Sequence, residues 1–128
     1  MEPHEGTHKM PCDFNAIRSD PFDLPTEGDI DVSLEFPAPG VNAARRAILM
    51  YRARVSGGGL AGLFGALLEA TLNGEVIFEH RHFNRGDQSF HKIIDSGIVQ
   101  SANNTLTLIG KPPAATIRLS DLVLVYGL

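Results

Sequence analysis

Cysteine, tryptophan and positive charge are scarce in this sequence. Cys12 is the only cysteine, which rules out a disulfide within one chain and a zinc site built from cysteines. There is no tryptophan and there are only 2 tyrosines, so the aromatic residues with a polar tip that are common at binding surfaces are scarce. Lysine and arginine number 11 against 15 acidic residues, a net charge of −4. We therefore expect neither a disulfide-stapled domain nor a nucleic-acid partner.

Long apolar runs are also missing. The most apolar stretch, residues 57–72, is interrupted by five glycines and by Glu69, and it is too short and too flexible to span a bilayer. The N-terminal sequence MEPHE lacks the basic and apolar segments of a secretory signal. We expect a soluble protein without a membrane partner, cytoplasmic unless a leader was removed.

Motifs that mark enzymes do not occur. The sequence contains no Gly-x-Ser-x-Gly elbow, no phosphate-binding glycine loop and no His-Glu-x-x-His helix. Isolated aspartates, histidines and serines occur in every chain and carry no weight alone. The sequence predicts a protein that is not an enzyme.

The composition that is present fits one globular domain. The chain has 128 residues, of which 43% are hydrophobic and 20% charged. Residues 1–28 carry prolines and scattered charges without periodicity, which predicts an irregular N-terminal arm. Residues 29–128 then form the folded domain.

Alternation of apolar and polar residues predicts strands throughout this domain. From Asp29 to Phe36 every second residue is apolar, the period of a half-buried strand. Residues 47–55 alternate in the same way, although the preceding alanines and arginines would also suit a helix. Further strands are predicted at 67–72, 75–80, 90–94, 105–109 and 116–126.

Two irregularities are expected in these strands. Asn73-Gly74 predicts a hairpin, and a three-residue loop with a bulge would place Leu68, Ala70, Val76 and Phe78 on one face. In the last strand, Ile117 and Leu119 face the same side as Leu122 and Leu124 only if one residue at Ser120-Asp121 is bulged out.

Many short strands separated by Gly, Pro and Asn turns predict an all-β fold, an antiparallel β-sandwich of the jelly-roll type. The expected core consists of Ile30, Val32, Leu34, Phe36, Leu49, Leu68, Ala70, Val76, Phe78, Leu106, Leu108, Ile117, Leu119, Leu122 and Leu124.

Four phrases resemble the galactose-binding-like jelly rolls, which are non-catalytic modules of polysaccharide lyases, glycosidases and carbohydrate-binding proteins. They are ATLNGEVIF (70–78), FHKII (90–94), ANNTLTL (102–108) and IRLSDLVL (117–124). The resemblance runs from Asp29 to Tyr126. It implies a non-catalytic binding module for a carbohydrate or another hydroxylated ligand. It also implies a structural calcium ion at Asp121, with Asp29, Glu27 or Asp31 as partners.

A polar segment supplies the candidate ligand site. Residues 80–87, HRHFNRGD, follow a strand directly, and alternation would turn His80 and His82 to the same side at a spacing that could also hold a metal. Arg85 and Asp87 could bind hydroxyl or carboxylate groups. We predict ligand contacts from His80, Arg81, His82, Arg85 and Asp87, helped by the glycine loop 57–59; a plain solvated loop is the alternative.

The last strand suggests a rival function. Leu122, Leu124 and Tyr126 point to one side, while Val123 and Val125 point to the other. Apolar residues on both faces imply that something covers the second face. The cover would be either the N-terminal arm, through Phe14, Ile17, Phe22 and Leu24, or another subunit. The alternative is thus a self-associating structural protein, a homo-oligomer.

Overall fold

The computed structural model describes residues 11–27, 31–57, 64–83 and 85–128. Nine strands cover most of this part of the chain. They are β1 (Cys12–Arg18), β2 (Phe22–Pro25), β3 (Asp31–Phe36), β4 (Ala47–Ser56), β5 (Ala66–Leu72), β6 (Glu75–His82), β7 (Gln88–Ile94), β8 (Asn104–Lys111) and β9 (Thr116–Gly127).

The strands form two antiparallel sheets. A five-stranded sheet has the order β1-β9-β4-β7, and β2 also pairs with β9. A four-stranded sheet has the order β3-β8-β5-β6. The protein is therefore the all-β, jelly-roll-type sandwich that the sequence predicts, with β6 and β7 as edge strands of the two sheets.

The side chains at every second position of the strands fill the space between the two sheets. Along β4 every odd-numbered residue from Ala47 to Val55 is buried and every even-numbered one is exposed. The helical interpretation of 47–55 is therefore wrong, since only a strand buries every second residue. Burying each large aliphatic side chain contributes about 1.5–3 kcal/mol. The largest fully buried residues are Leu24, Leu49, Leu68, Leu72, Ile94, Leu106, Leu108, Ile117, Leu119, Leu122, Leu124 and Tyr126.

The segment predicted to be an irregular arm contains β1 and β2 in its described part. Both strands pair with β9, and Leu24 is fully buried, so the prediction of an irregular arm is wrong for residues 12–25. These strands extend the five-stranded sheet sideways and do not lie across its outer face. Phe14 accordingly stays 67% exposed. Residues 1–10 lie outside the described residues.

The Asn73-Gly74 hairpin has a shorter loop than predicted. Leu72 pairs with Glu75, so the loop has two residues, and Asn73 (φ 52°) and Gly74 (φ 87°) both have the positive φ of a type I′ turn. The bulge lies in β6, where Ile77 is skipped between the pairs Thr71–Val76 and Ala70–Phe78.

This bulge changes which side Val76 occupies. Phe78 faces the same side as Leu68 and Ala70, as predicted, but Val76 precedes the bulge and is 61% exposed. Val76 is therefore not a core residue. Val32 and Leu34 are partly buried against the core, and Ile30 lies outside the described residues.

The predicted bulge in β9 is confirmed. Met50 pairs with Val123 and Arg52 with Ser120, so Asp121 and Leu122 together stand opposite the single residue Tyr51. Asp121 adopts a φ of 53°, a left-handed conformation that aspartate tolerates better than most residues. The bulge keeps both halves of β9 facing the core, because it restores the phase of the buried side chains.

Candidate functional site

The bulge of β9 also shapes the outer face of the five-stranded sheet. The even-numbered residues of β4 point away from the core, so Arg52 lies on this face. Ser120 of β9 is opposite Arg52 on one side, and Ser89 of β7 is opposite it on the other. A guanidinium therefore lies between two hydroxyl-bearing residues in the middle of an open sheet.

Asp121, which lies at the bulge of β9, is next to Arg52. Its carboxylate lies 3.8 Å from a guanidinium nitrogen of Arg52, and both side chains are about half exposed. An ion pair in such contact with water stabilises the fold by less than about 1 kcal/mol. Its groups remain available for hydrogen bonds with a ligand.

A polar cleft of about 350 Å³ opens around the pair. It contains guanidinium donors, carboxylate acceptors and hydroxyl groups, which together match a ligand rich in hydroxyls. The residues that line it are Ser19, Pro21, Arg52, Asp87, Arg118, Ser120 and Asp121.

An apolar hollow of about 330 Å³ adjoins the polar cleft and shares Arg52 and Asp121 with it. Met50 and Val123 contribute outward-facing apolar side chains to this hollow. The outer face therefore offers a polar region and an apolar region side by side. We call the two together the outer cleft.

A second polar depression continues the outer face towards the end of β4. Asp23, Arg54, Ser56, Thr116 and Arg118 line it, and its volume is about 520 Å³. Arg118 lies directly opposite Arg54 across the strands and forms an ion pair of 3.3 Å with Asp23. Arg118 lines both polar depressions.

Of the five predicted ligand residues, the structure brings only Asp87 to the outer cleft. Arg81 donates a hydrogen bond to the carbonyl of Phe64 at 3.1 Å. Arg85 lies over the ring of Phe83, 5.1 Å from its centre. Part of the glycine loop, Gly58 and Gly59, lies outside the described residues.

His80 and His82 point into the sandwich from β6. Their rings do share one side, as alternation predicts, and lie 4.4 Å apart between centres. His82 is only 3% exposed, and its Nε2 is 3.1 Å from the hydroxyl of Tyr51. Nδ1 of His80 is 2.6 Å from the ammonium of Lys92. The two histidines thus lie on the core side, away from Asp87 on the outer face.

Burial controls the protonation of these residues. Desolvation, together with smaller contributions from the nearby His80 and Lys92, lowers the pKa of His82 to about 3. Desolvation also lowers the pKa values of His80 and Lys92, and it raises the pKa of Tyr51. At neutral pH His82 is therefore uncharged.

The donors described do not assemble a calcium site. Asp121 is held by Arg52, whose positive charge opposes a cation, and no group of three His, Cys, Asp or Glu among the described residues could hold a metal ion. Asp29 lies outside the described residues. The structural calcium at Asp121 and Asp29 therefore stays a prediction.

Apolar side chains occupy the other half of the outer face. Phe14, Val125, Ile48 and Ile93 lie side by side across four strands, and Ile93 is 60% exposed. The described part of the N-terminal arm does not cover them. Homo-oligomerisation through this face stays a prediction, which sedimentation of the intact chain can check. In the described ranges we find no helix long and apolar enough to cross a membrane.

Sequence reasoning missed Arg52 and Arg118 as site residues. Each lies at a polar position of an alternating strand, where an arginine is usually just solvated. Only the register of β4 against β9 shows that Arg52 stands opposite Ser120. A usable signal was present in the bulge predicted at Ser120-Asp121, since bulges often redirect side chains beside binding sites.

No family model matches the sequence. Comparison with curated proteins also gives no match. Solved structures do resemble the fold. The CBM36-1 domain of a multidomain xylanase from the hindgut metagenome of Trinervitermes trinervoides has a TM-score of 0.51 and 9% identity, covering 85% of this chain and 98% of that domain.

Two further structures are similar. The sugar-binding protein EclA, in its C-terminal domain, has a TM-score of 0.52 and 8% identity, with 91% of this chain and 78% of that chain covered. Dimeric latent PorU from Porphyromonas gingivalis has a TM-score of 0.53 and 14% identity over 86% of this chain. The chain spans only 10% of the length of PorU. At such low identities these likenesses establish the β-sandwich fold.

Proposed function

We propose that the protein is a non-catalytic binding module whose ligand is a carbohydrate or another hydroxylated molecule held in the outer cleft. The observation that carries the proposal is the Arg52–Asp121 pair, because it borders both the polar cleft and the apolar hollow. A sugar ring has a rim of hydroxyls and a face of C–H groups. The two halves of the outer cleft complement these two surfaces.

The hydrogen-bond donors and acceptors of the polar half support the same ligand class. Arg52 and Arg118 supply only donors, Asp87 and Asp121 supply only acceptors, and Ser120 supplies both. A hydroxyl group donates one hydrogen bond and accepts others, so it can use both kinds of partner. A purely anionic or purely cationic ligand would leave half of these groups unmatched.

The size of the outer cleft supports a small ligand or one unit of a longer one. Each half has a volume of about 330–350 Å³, near the lower end of ligand pockets in proteins. Two of the similar structures are described as a CBM36 domain and a sugar-binding protein, which is consistent with this ligand class. The 2 tyrosines of the chain are buried, so apolar contact with the face of a sugar would rely on Met50 and Val123.

Calorimetric titration with a panel of neutral mono- and oligosaccharides tests the proposal. We expect at least one sugar to bind, and Arg52→Gln and Asp87→Asn each to weaken it roughly tenfold, the worth of one hydrogen bond to a charged group. Glu35→Gln, an exposed change on the other sheet, is the matched control. If no sugar binds to the folded protein at tens of millimolar, the proposal is wrong.

A further inference from the structure

A separate polar cluster, distinct from the depressions of the outer face, lies at the side of the sandwich, where β6 and β7 face each other. Ring contacts connect the two edge strands, since His80 of β6 lies 4.9 Å from the ring centre of Phe90 on β7. We call His80, His82, Lys92 and Tyr51 the edge cluster. It is on the core side of the sheets and shares none of its hydrogen bonds with the outer cleft.

The hydrogen bonds of His82 leave one buried nitrogen unused. Nε2 contacts the hydroxyl of Tyr51, but Nδ1 is buried and has no partner among the described residues. Leaving a buried polar atom without a partner costs about 1–3 kcal/mol, which makes such atoms rare in native proteins. This nitrogen therefore calls for an explanation.

The protonation of His82 follows from counting protons. If the Tyr51 hydroxyl donates to Nε2, then neutral His82 carries its proton on Nδ1, and only that N–H lacks a partner. In the opposite tautomer Nε2 donates to Tyr51. Both the hydroxyl proton of Tyr51 and the lone pair of Nδ1 would then lack partners in the described part of the chain. The first arrangement is better satisfied, so Nδ1 of His82 presents a donor.

The protonation of His80 follows in the same way. An ammonium group has no lone pair, so Lys92 donates and Nδ1 of His80 accepts across their 2.6 Å contact. Neutral His80 then carries its proton on Nε2. None of the ion pairs formed by the described residues involves Lys92. Lys92 thus retains its positive charge without a carboxylate and has further N–H groups to donate.

We propose that the edge cluster binds a small oxyanion, such as a carboxylate or a phosphate, through His82, His80 and Lys92. These residues offer hydrogen-bond donors and a positive charge, and they offer no acceptor. His80 and Lys92 are half-buried, and His82 is buried beside them. Phe78 and Phe90 supply apolar surroundings, which strengthen a charge-assisted hydrogen bond.

The electrostatics of the edge cluster agree with an anionic ligand. Desolvation is the main cause of the lowered pKa values of His80 and His82, and repulsion by the positive charge of Lys92 contributes to both. A bound anion would offset that repulsion and would accept hydrogen bonds from donors that otherwise lack a partner.

Nuclear magnetic resonance of protein with ¹⁵N-labelled histidine tests the proposal at pH 7. The first readout is the tautomer, and we expect the proton of His82 on Nδ1. The full chain is then titrated separately with sodium acetate, sodium phosphate and sodium glucuronate, with sodium chloride at matched ionic strength as control. We expect a saturable shift of the His82 ring signals with acetate or phosphate and none with chloride.

The three ligands separate the sources of the oxyanion. Saturation by acetate or phosphate as well as glucuronate identifies a site for free oxyanions. Saturation by glucuronate alone identifies a site for acidic sugars and overturns the broader proposal. A proton of His82 on Nε2, or equal shifts with chloride, also overturns it.

Substitutions then assign the donors. Lys92→Gln should weaken acetate or phosphate binding roughly tenfold, because it removes a charge-assisted hydrogen bond. Arg46→Gln removes one positive charge from an exposed position before β4 and should leave binding unchanged. If Lys92→Gln fails to fold, His80→Gln provides the second test. Unaltered binding in a folded Lys92 or His80 variant would show that the edge cluster is not the site.

Discussion

The side-chain amide of Asn73 donates a hydrogen bond to Oδ1 of Asn104, with 2.9 Å between the two atoms. Asn104 is fully buried, and its own amide donates to the carbonyls of Phe36 and Gln100. The hairpin turn, the end of β3 and the start of β8 are therefore joined by one buried side chain. A buried polar group with all its partners stabilises a unique arrangement of the surrounding loops.

Replacing Asn104 with leucine should destabilise the protein by about 2–4 kcal/mol, because several buried groups lose their partners at once. Urea unfolding followed by circular dichroism measures the change. Asn103→Asp is the matched control, since Asn103 is exposed and has a positive φ that aspartate tolerates. A loss below about 0.5 kcal/mol in the leucine variant would contradict a structural role for the network.

Acid should destabilise the protein through His82. Its pKa is lowered from 6.5 to about 3 in the folded state, so the unfolded chain binds a proton more readily. The contribution of neutral His82 to the free energy of unfolding is therefore fully present above pH 6.5, and it is lost progressively as the pH falls from there towards 3. Urea midpoints measured between pH 7 and pH 4 should decrease, and His82→Gln should flatten this decrease.

The bulge at Ile77 predicts opposite outcomes for two aliphatic residues of one hairpin. Leu68→Ala should cost about 2–5 kcal/mol, because Leu68 is fully buried and a cavity would remain. Val76→Ala should cost less than about 0.5 kcal/mol, since Val76 projects into solvent. Equal losses in thermal or urea unfolding would mean that the bulge lies elsewhere.

The bulge at Asp121 predicts a dependence on backbone freedom. Asp121→Val should destabilise the protein by about 1–3 kcal/mol, because a β-branched residue is strained at positive φ. Asp121→Gly relieves that strain and should stay within about 0.5 kcal/mol of the parent chain. Because both variants lose the contact with Arg52, their difference in unfolding free energy isolates the backbone term. If the two variants are equally stable, the left-handed conformation at Asp121 is absent in solution.

Much of the fold could be predicted because alternation is a local property. The strands β4, β8 and β9 follow from residues two positions apart, and even the β9 bulge follows from a mismatch of phase. The strands β1 and β2 could not be predicted this way. Their apolar residues are sparse, and they become strands because β9 supplies a hydrogen-bonding edge from the far end of the sequence.

The candidate site was predictable only in part. Asp87 and Asp121 were singled out by the polar loop and the bulge, but neither signal indicates that they line one cleft. That requires knowing that the loop after β6 leads into β7 and that β4 separates β7 from β9. His80 and His82 were correctly placed on one side of a strand. Both rings face the core because the bulge at Ile77 shifts the alternation of β6 by one residue. The sequence predicts the same shift from a three-residue loop, whereas the loop has two residues.

The position of β9 in its sheet has a kinetic consequence. β9 pairs with β1, β2 and β4, and residue pairs such as Phe14–Val125 join segments separated by almost the whole chain. Closing such long loops costs entropy before any contact forms, so chains with this topology fold over roughly milliseconds to seconds. Until β9 pairs with it, β4 has an open hydrogen-bonding edge on that side, which could pair with another molecule. Refolding at high protein concentration should therefore favour aggregation over the native sandwich.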